Sequence, residues 1–222
     1  AADSASIQGN KILISKSLLD EVIETKALPH DKAGDKHFDT ISAFIKSVRA
    51  SDPDASVYWL ARLLLAGEDL MFIARRLVIL ASEDIGLADP RALTIAVSAQ
   101  QAAHFVGMPE ARIILSEATI YLASAPKSNS AYKAINSAIS EIKSSGENPV
   151  PLHLRNPVTD LMSQEKYGQG YKYAHDYPAH FVRTENLPEN LGSKDFYLPG
   201  NLGYEKLIAE RLNKWWKEKY KE

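Results

Sequence analysis

Apolar positions recur at helical spacing between residues 37 and 145, in six runs set apart by clear punctuation. The runs cover 37–50, 53–66, 69–85, 90–106, 109–125 and 129–145, with connections of two to four residues. In the second, Val57, Leu60 and Leu64 share a face, and in the third Leu70, Ile73, Leu77 and Leu80 repeat at 3-4-3 spacing, the period of an amphipathic helix. Asp52-Pro53 and Asp89-Pro90 each open a run, while Gly67 and Gly107 each fall just past one. Asp accepts from the orphan N–H groups of a first turn, Pro is tolerated where no N–H is needed, and Gly takes the left-handed conformation after a last turn. Connections this short make successive helices antiparallel neighbours. The fourth run, with Ala92, Ala96, Ala99, Ala102 and Ala103, permits close approach of axes and is expected near the centre.

The flanks read differently. Residues 15–27 suit a short amphipathic helix, and LPHDKAGDK at 28–36 combines Pro, Gly and alternating charge as a linker does. The opening AADSASIQGN has no initiator Met and reads as the end of a small-residue helix and a turn, so a piece of a longer protein is expected. After Gly146 the segments PVPLHLRNP, YGQGYKYAHDYP and ENLPENLGSKDFYLPGN give a loop-rich stretch with one short helix near 158–166 and short strand pairing near Tyr197. A final amphipathic helix spans 203–220, with Tyr204, Leu207, Ile208, Leu212 and Trp215 as its apolar face and Glu210 and Lys214 on the wet side. Trp215 and Trp216 point to different sides, one toward the body and one toward a rim or interface. The expected organisation is an attachment (1–27), a linker (28–36), a helical domain (37–146) and a segment (147–222) packed on it.

Composition adds limits rather than a function. With 45% hydrophobic and 24% charged residues the chain is globular in character, and its formal net charge of −2 supplies no global attraction for a polyanion. The absence of cysteine excludes disulfides, thiolate zinc sites and cysteine nucleophiles together. A phosphate-cradling loop of the form GxxxxGK[ST] requires a Gly-Lys dipeptide, and there is none. No GxSxG signature occurs either. His153, His175 and Asp176 are the residue types of a helical phosphohydrolase metal centre, but Tyr173, Tyr177 and Pro178 around them argue for a turn and a structural histidine.

Two sets of residues remain as candidates for recognition. Between 155 and 183, Arg155, Lys166, Lys172 and Arg183 alternate with Tyr167, Tyr171, Tyr173 and Tyr177, the mixture that pairs phosphates and stacks bases of single-stranded nucleic acid; packing of the tyrosines on the helices is the plain alternative. We take Arg155, Lys166, Tyr171, Lys172 and Arg183 as the nucleic-acid candidates. Glu83 and Asp84 sit where the helix dipole disfavours acids, with Arg76 seven positions before Glu83 on one face, as expected for an ion pair, a cap or an intersubunit contact.

The wording of the helical run is more specific than its period. SAFIKSVRASDPDASVYWLARLLLAGED, ARRLVILASEDIGLADP and APKSN, with PVPLHLRNP and GYKYAHDYP, resemble the C-terminal half of the replication-associated recombination protein A family. That family is also called maintenance of genome stability protein A and includes the eukaryotic Werner helicase-interacting protein. The resemblance implies an all-α array similar to a clamp-loader collar, with NKILISKSLLDEVIETKAL as the last piece of an AAA+ lid. It also implies a homotetramer-forming part of a DNA-dependent ATPase acting at stalled or damaged replication forks, in the cytoplasm and on the nucleoid of a bacterium. Single-stranded-DNA-binding protein is the implied partner, and no membrane is involved. ATP and Mg would belong to an N-terminal module, so no catalytic or cofactor residue carries over to this chain. Phe44, Trp59 and Phe72, with Arg76 and Glu83, are the expected contacts between copies.

Overall fold

A computed structural model describes residues 6–8, 11–13, 35–192 and 194–216. The architecture is helical, with elements α1 (Asp35–Arg49), α2 (Pro53–Leu65), α3 (Leu70–Leu80), α4 (Arg91–Val106), α5 (Ala111–Ser124), α6 (Ser130–Ser145), the short α7 (Asp160–Gln164) and α8 (Gly203–Trp216). All six sequence runs become helices within a few residues of their expected ends. The helix and most of the linker expected over 15–36 lie outside the described residues.

The starts follow from local chemistry. Asp52 accepts from Ala55 N at 2.9 Å ahead of Pro53, and both carboxylate oxygens of Asp69 accept from Met71 N and Phe72 N at 3.1 Å. Gly67 and Gly107 take φ of +76° and +73° just past α2 and α4, as their positions require. The third run departs from a regular helix, because α3 widens into a π segment at Ala81–Ile85 and then tightens into a 3-10 turn at Gly86–Ala88.

Two compact units divide the chain, one from residues 1–81 and 91–125 and the other from 82–90 and 126–222. In the first, Phe44, Val48, Leu60, Leu63, Ile73, Leu77, Leu80, Leu115 and Leu122 are buried, each such side chain contributing about 2 kcal/mol. Its centre is α5, which packs against α1, α2, α3 and α4, and not the alanine-rich α4 as expected from sequence. The stripe of Ala92, Ala96, Ala99 and Ala103 does bring α4 close, but on one side; the other side exposes Leu93 and Phe105. The same unit's chain range includes an antiparallel hairpin, β1 (Ser6–Gln8) with β2 (Lys11–Leu13), in register Ser6 to Leu13, Ile7 to Ile12 and Gln8 to Lys11. This corrects the expected helix end: Ile7 and Ile12 pair across strands.

The second unit holds α6, α7, α8 and the 3-10 turns Leu152–Leu154, Ala174–Asp176, Pro178–His180 and Glu189–Leu191. It groups α6 with the loop-rich stretch. No strand forms near Tyr197 among the described residues. Its buried residues include Ile85, Ala88, Asp89, Ser130 and Glu205, a set poor in bulky apolar side chains.

Candidate functional site

The phrases ASEDIGLADP and APKSN, distant in sequence, meet in the second unit. Ser128 N donates to Asp84 O at 2.8 Å, and Gly86 sits so close that a Cβ there would lie 2.9 Å from Ser128 O. The first residue of α8 closes the junction from above: a Cβ on Gly203 would lie 2.1 Å from Ala88 O and 2.8 Å from Pro126 Cγ. Only glycine fits there.

Glu205, on the next turn of backbone, is fully buried at 0% exposure. Its Oε1 accepts from Ser130 Oγ and from Tyr197 OH at 2.9 Å, while Ser128 Oγ donates to Ser130 Oγ at 3.1 Å. Burial alone would push this carboxyl up, but hydrogen bonds from Ser128, Ser130, Tyr197 and the Gly200 backbone hold it below its ordinary value. Position on the first turn of α8 favours the same negative charge. Beside it, Lys127 has a lowered pKa because burial outweighs the pull of the Asp84 carboxylate. A sealed carboxylate saturated with donors has no route to a substrate. The arrangement clamps α8 to the starts of α6 and to the 86–88 turn.

The expected apolar face of α8 is therefore turned around at its start. Glu205 points in, and Tyr204 and Leu207 are exposed, because the junction offers hydroxyl donors rather than an apolar pocket. Both tryptophans meet one ring, correcting the expectation that they point apart. Phe181 stacks on Trp215 at 5.4 Å and meets Trp216 edge-on at 5.7 Å, since a single ring spans two adjacent helical positions.

The nucleic-acid candidates separate into two groups. Arg155 donates through Nε to Val150 O at 2.7 Å and through NH1 to Tyr167 OH at 3.3 Å, over whose ring its guanidinium lies at 5.1 Å. Arg183 lies 6.0 Å from the Trp216 ring centroid. These two arginines hold the loops together. Lys166, Tyr171 and Lys172 stand exposed. His153 contacts Asn186 Oδ1 at 3.3 Å and His175 packs between Tyr173 and His180, and among the described residues no three His, Cys, Asp or Glu come together as a metal-holding group.

Among the interface candidates, Phe44 is corrected outright: at 0% exposure it fills the core of its own unit and leaves no surface for a second copy. Trp59, Phe72, Arg76 and Glu83 are half-buried, Trp59 lying beneath the Arg62 guanidinium at 5.4 Å. Sequence reasoning missed a clearer surface on α6. Tyr132, Ile135, Ile139 and Ile142 form an exposed stripe at 3-4-3 spacing, while Ser130, Ala134, Ala138 and Glu141 face inward. The signal was the same period that identified α3. Among the described residues no helix is long and apolar enough to cross a membrane.

Comparison with known proteins agrees with the phrases that meet at the junction. Residues 50–216 match the family described as MgsA AAA+ ATPase C terminal, and residues 1–49 match the AAA C-terminal domain. The chain is 46% identical over 212 residues to replication-associated recombination protein A of Coxiella burnetii, covering 95% of this chain and 48% of that protein. It is 40% identical over 213 residues to the protein of that name from Escherichia coli K12, again 95% and 48%. It is also 40% identical over 187 residues to ATPase WRNIP1 of Dictyostelium discoideum, covering 84% and 21%. The chain thus spans about half the length of the bacterial relatives it matches. By a match that covers most of its length, the chain belongs to the MgsA AAA+ ATPase C-terminal family.

Proposed function

We propose that this chain is the self-assembling part of an AAA+ ATPase, bringing copies together as a tetramer while ATP and Mg are handled by polypeptide outside it. The observation that carries this reading is the α6 stripe. A helix that turns serine and alanine inward and Tyr132, Ile135, Ile139 and Ile142 outward has its apolar side matched to a second chain. The lack of a Gly-Lys dipeptide supports placing nucleotide chemistry elsewhere. The relatives' names, replication-associated recombination protein A, support a role in DNA replication, recombination and repair, with DNA and single-stranded-DNA-binding protein as partners of the full-length protein.

Sedimentation velocity tests the assembly. A species near four times 24.6 kDa supports it, and a strict monomer at high concentration rejects it. A second reading, DNA or partner capture, rests on Lys166, Tyr171 and Lys172 being exposed on one loop segment. Titration with single-stranded DNA at two salt concentrations tests that reading, because phosphate contacts make affinity fall with salt.

A further inference from the structure

The first unit carries a second surface that assembly does not use. Helices α3 and α4 pack side by side, and their outer face holds a groove of about 460 Å³ lined by Met71, Arg75, Val78, Val97, Gln100 and His104. Its floor is apolar, from the half-buried Met71, Val78 and Val97.

The polar groups around that floor are N–H bearers without an oxygen partner. Gln100 Nε2 donates to the thioether of Met71 at 3.4 Å, a weak acceptor, and Arg75 and His104 stand exposed with no ion pair among the described residues. Neither helix contains an acidic residue: α3 reads LMFIARRLVIL and α4 reads RALTIAVSAQQAAHFV. The nearest carboxylates are already engaged, Asp69 capping α3 and Glu68 accepting from Asp69 N at 3.0 Å. Oxygen anions are what the rim lacks.

We propose that this groove takes a peptide segment of a partner protein in which carboxylate side chains sit beside apolar ones. The carboxylates reach Arg75, Gln100 and His104, and the neighbouring apolar side chain lies on Met71, Val78 and Val97. A nucleic acid fits less well, because a phosphate strand would leave the apolar floor wet and find two cationic side chains in place of a continuous track.

The test is fluorescence anisotropy of a fluorescein-labelled hexapeptide alternating Asp and Leu, titrated with the full chain. A Lys-Leu hexapeptide and a labelled oligo-dT run alongside. The expected result is saturable binding of the Asp-Leu peptide, weakened about tenfold by Arg75→Glu, the size of one lost charge-assisted hydrogen bond. Arg75 is exposed, so the variant keeps its helicity and its sedimentation mass, which separates this outcome from failure of assembly. Val97→Asp, which places an acid on the floor, lowers affinity further. No saturable Asp-Leu binding up to about 1 mM overturns the proposal. Equal binding of the Lys-Leu peptide, indifference to Arg75→Glu, or displacement of the Asp-Leu peptide by oligo-dT does so too.

Discussion

Ser130, the first residue of α6, donates its hydroxyl to Glu205 on the first turn of α8, so two helices that share no loop begin at one hydrogen bond. The contact is buried, and Tyr197 reaches the same oxygen at 2.9 Å from the segment that leads into α8. In a unit with few bulky buried side chains, this polar junction takes the part that a hydrophobic core plays in the first unit. Satisfied buried networks specify a unique arrangement, and broken ones are costly.

Removing the carboxylate leaves two hydroxyls facing a cavity. Glu205→Ala is expected to cost about 3 kcal/mol, combining lost charge-assisted hydrogen bonds with unpaired donors. Glu205→Gln keeps the volume and one acceptor, and is expected to cost about half as much. Urea unfolding followed by tryptophan fluorescence reads both, and equal losses for the two variants would show that packing rather than acceptance dominates.

The sign of the pH dependence follows from the lowered pKa. Glu205 ionises more readily folded than unfolded, so its charge stabilises the fold at neutral pH. That contribution begins to fade near its ordinary value of 4.5 and is lost as pH falls through the lowered one. The stability gap between the parent chain and Glu205→Gln should hold constant from pH 7 to about 5 and narrow below that. A gap that widens on acidification would contradict the hydrogen-bonded carboxylate.

Gly203 gives a test by size. Its φ of +55° strains any side chain, and a methyl there would overlap Ala88 O at 2.1 Å. Gly203→Ala is expected to cost more than about 3 kcal/mol, since backbone must move. Gly170 has φ of +83° but nothing within 4 Å, so Gly170→Ala should cost about 1 kcal/mol from conformation alone. Thermal unfolding of the pair separates strain from collision.

Helix starts were legible because their causes are local. Asp52 and Asp69 cap within three residues, and the period of Leu70, Ile73, Leu77 and Leu80 needs no partner to be seen. The hairpin also had a local sign, Gly9-Asn10 between Ile7 and Ile12, which the small-residue texture of the first ten residues obscured. Glu205 had none. A glutamate at a helix start ordinarily faces water, and its burial depends on Ser130 and Tyr197 arriving from other segments. The alanines of α4 signalled close approach but not on how many sides, so the central place of α5 was hidden. Phe44 and the α6 isoleucines were exchanged for a related reason: hydrophobicity alone does not tell an inner face from a face left for another chain.

That exchange gives the last prediction. Phe44 is wholly buried, so Phe44→Ala is expected to cost about 4 kcal/mol through transfer and cavity terms, with assembly changed only as far as the fold is lost. Ile139 is 42% exposed, so Ile139→Lys should change unfolding of the dissociated chain by less than about 0.5 kcal/mol. Its effect should appear in mass instead, because a lysine at the middle of the stripe places an unpaired charge between copies and releases smaller species. Sedimentation and urea unfolding on both variants check the pair. If Ile139→Lys sediments as the parent does while keeping its stability, the α6 stripe is not where copies meet.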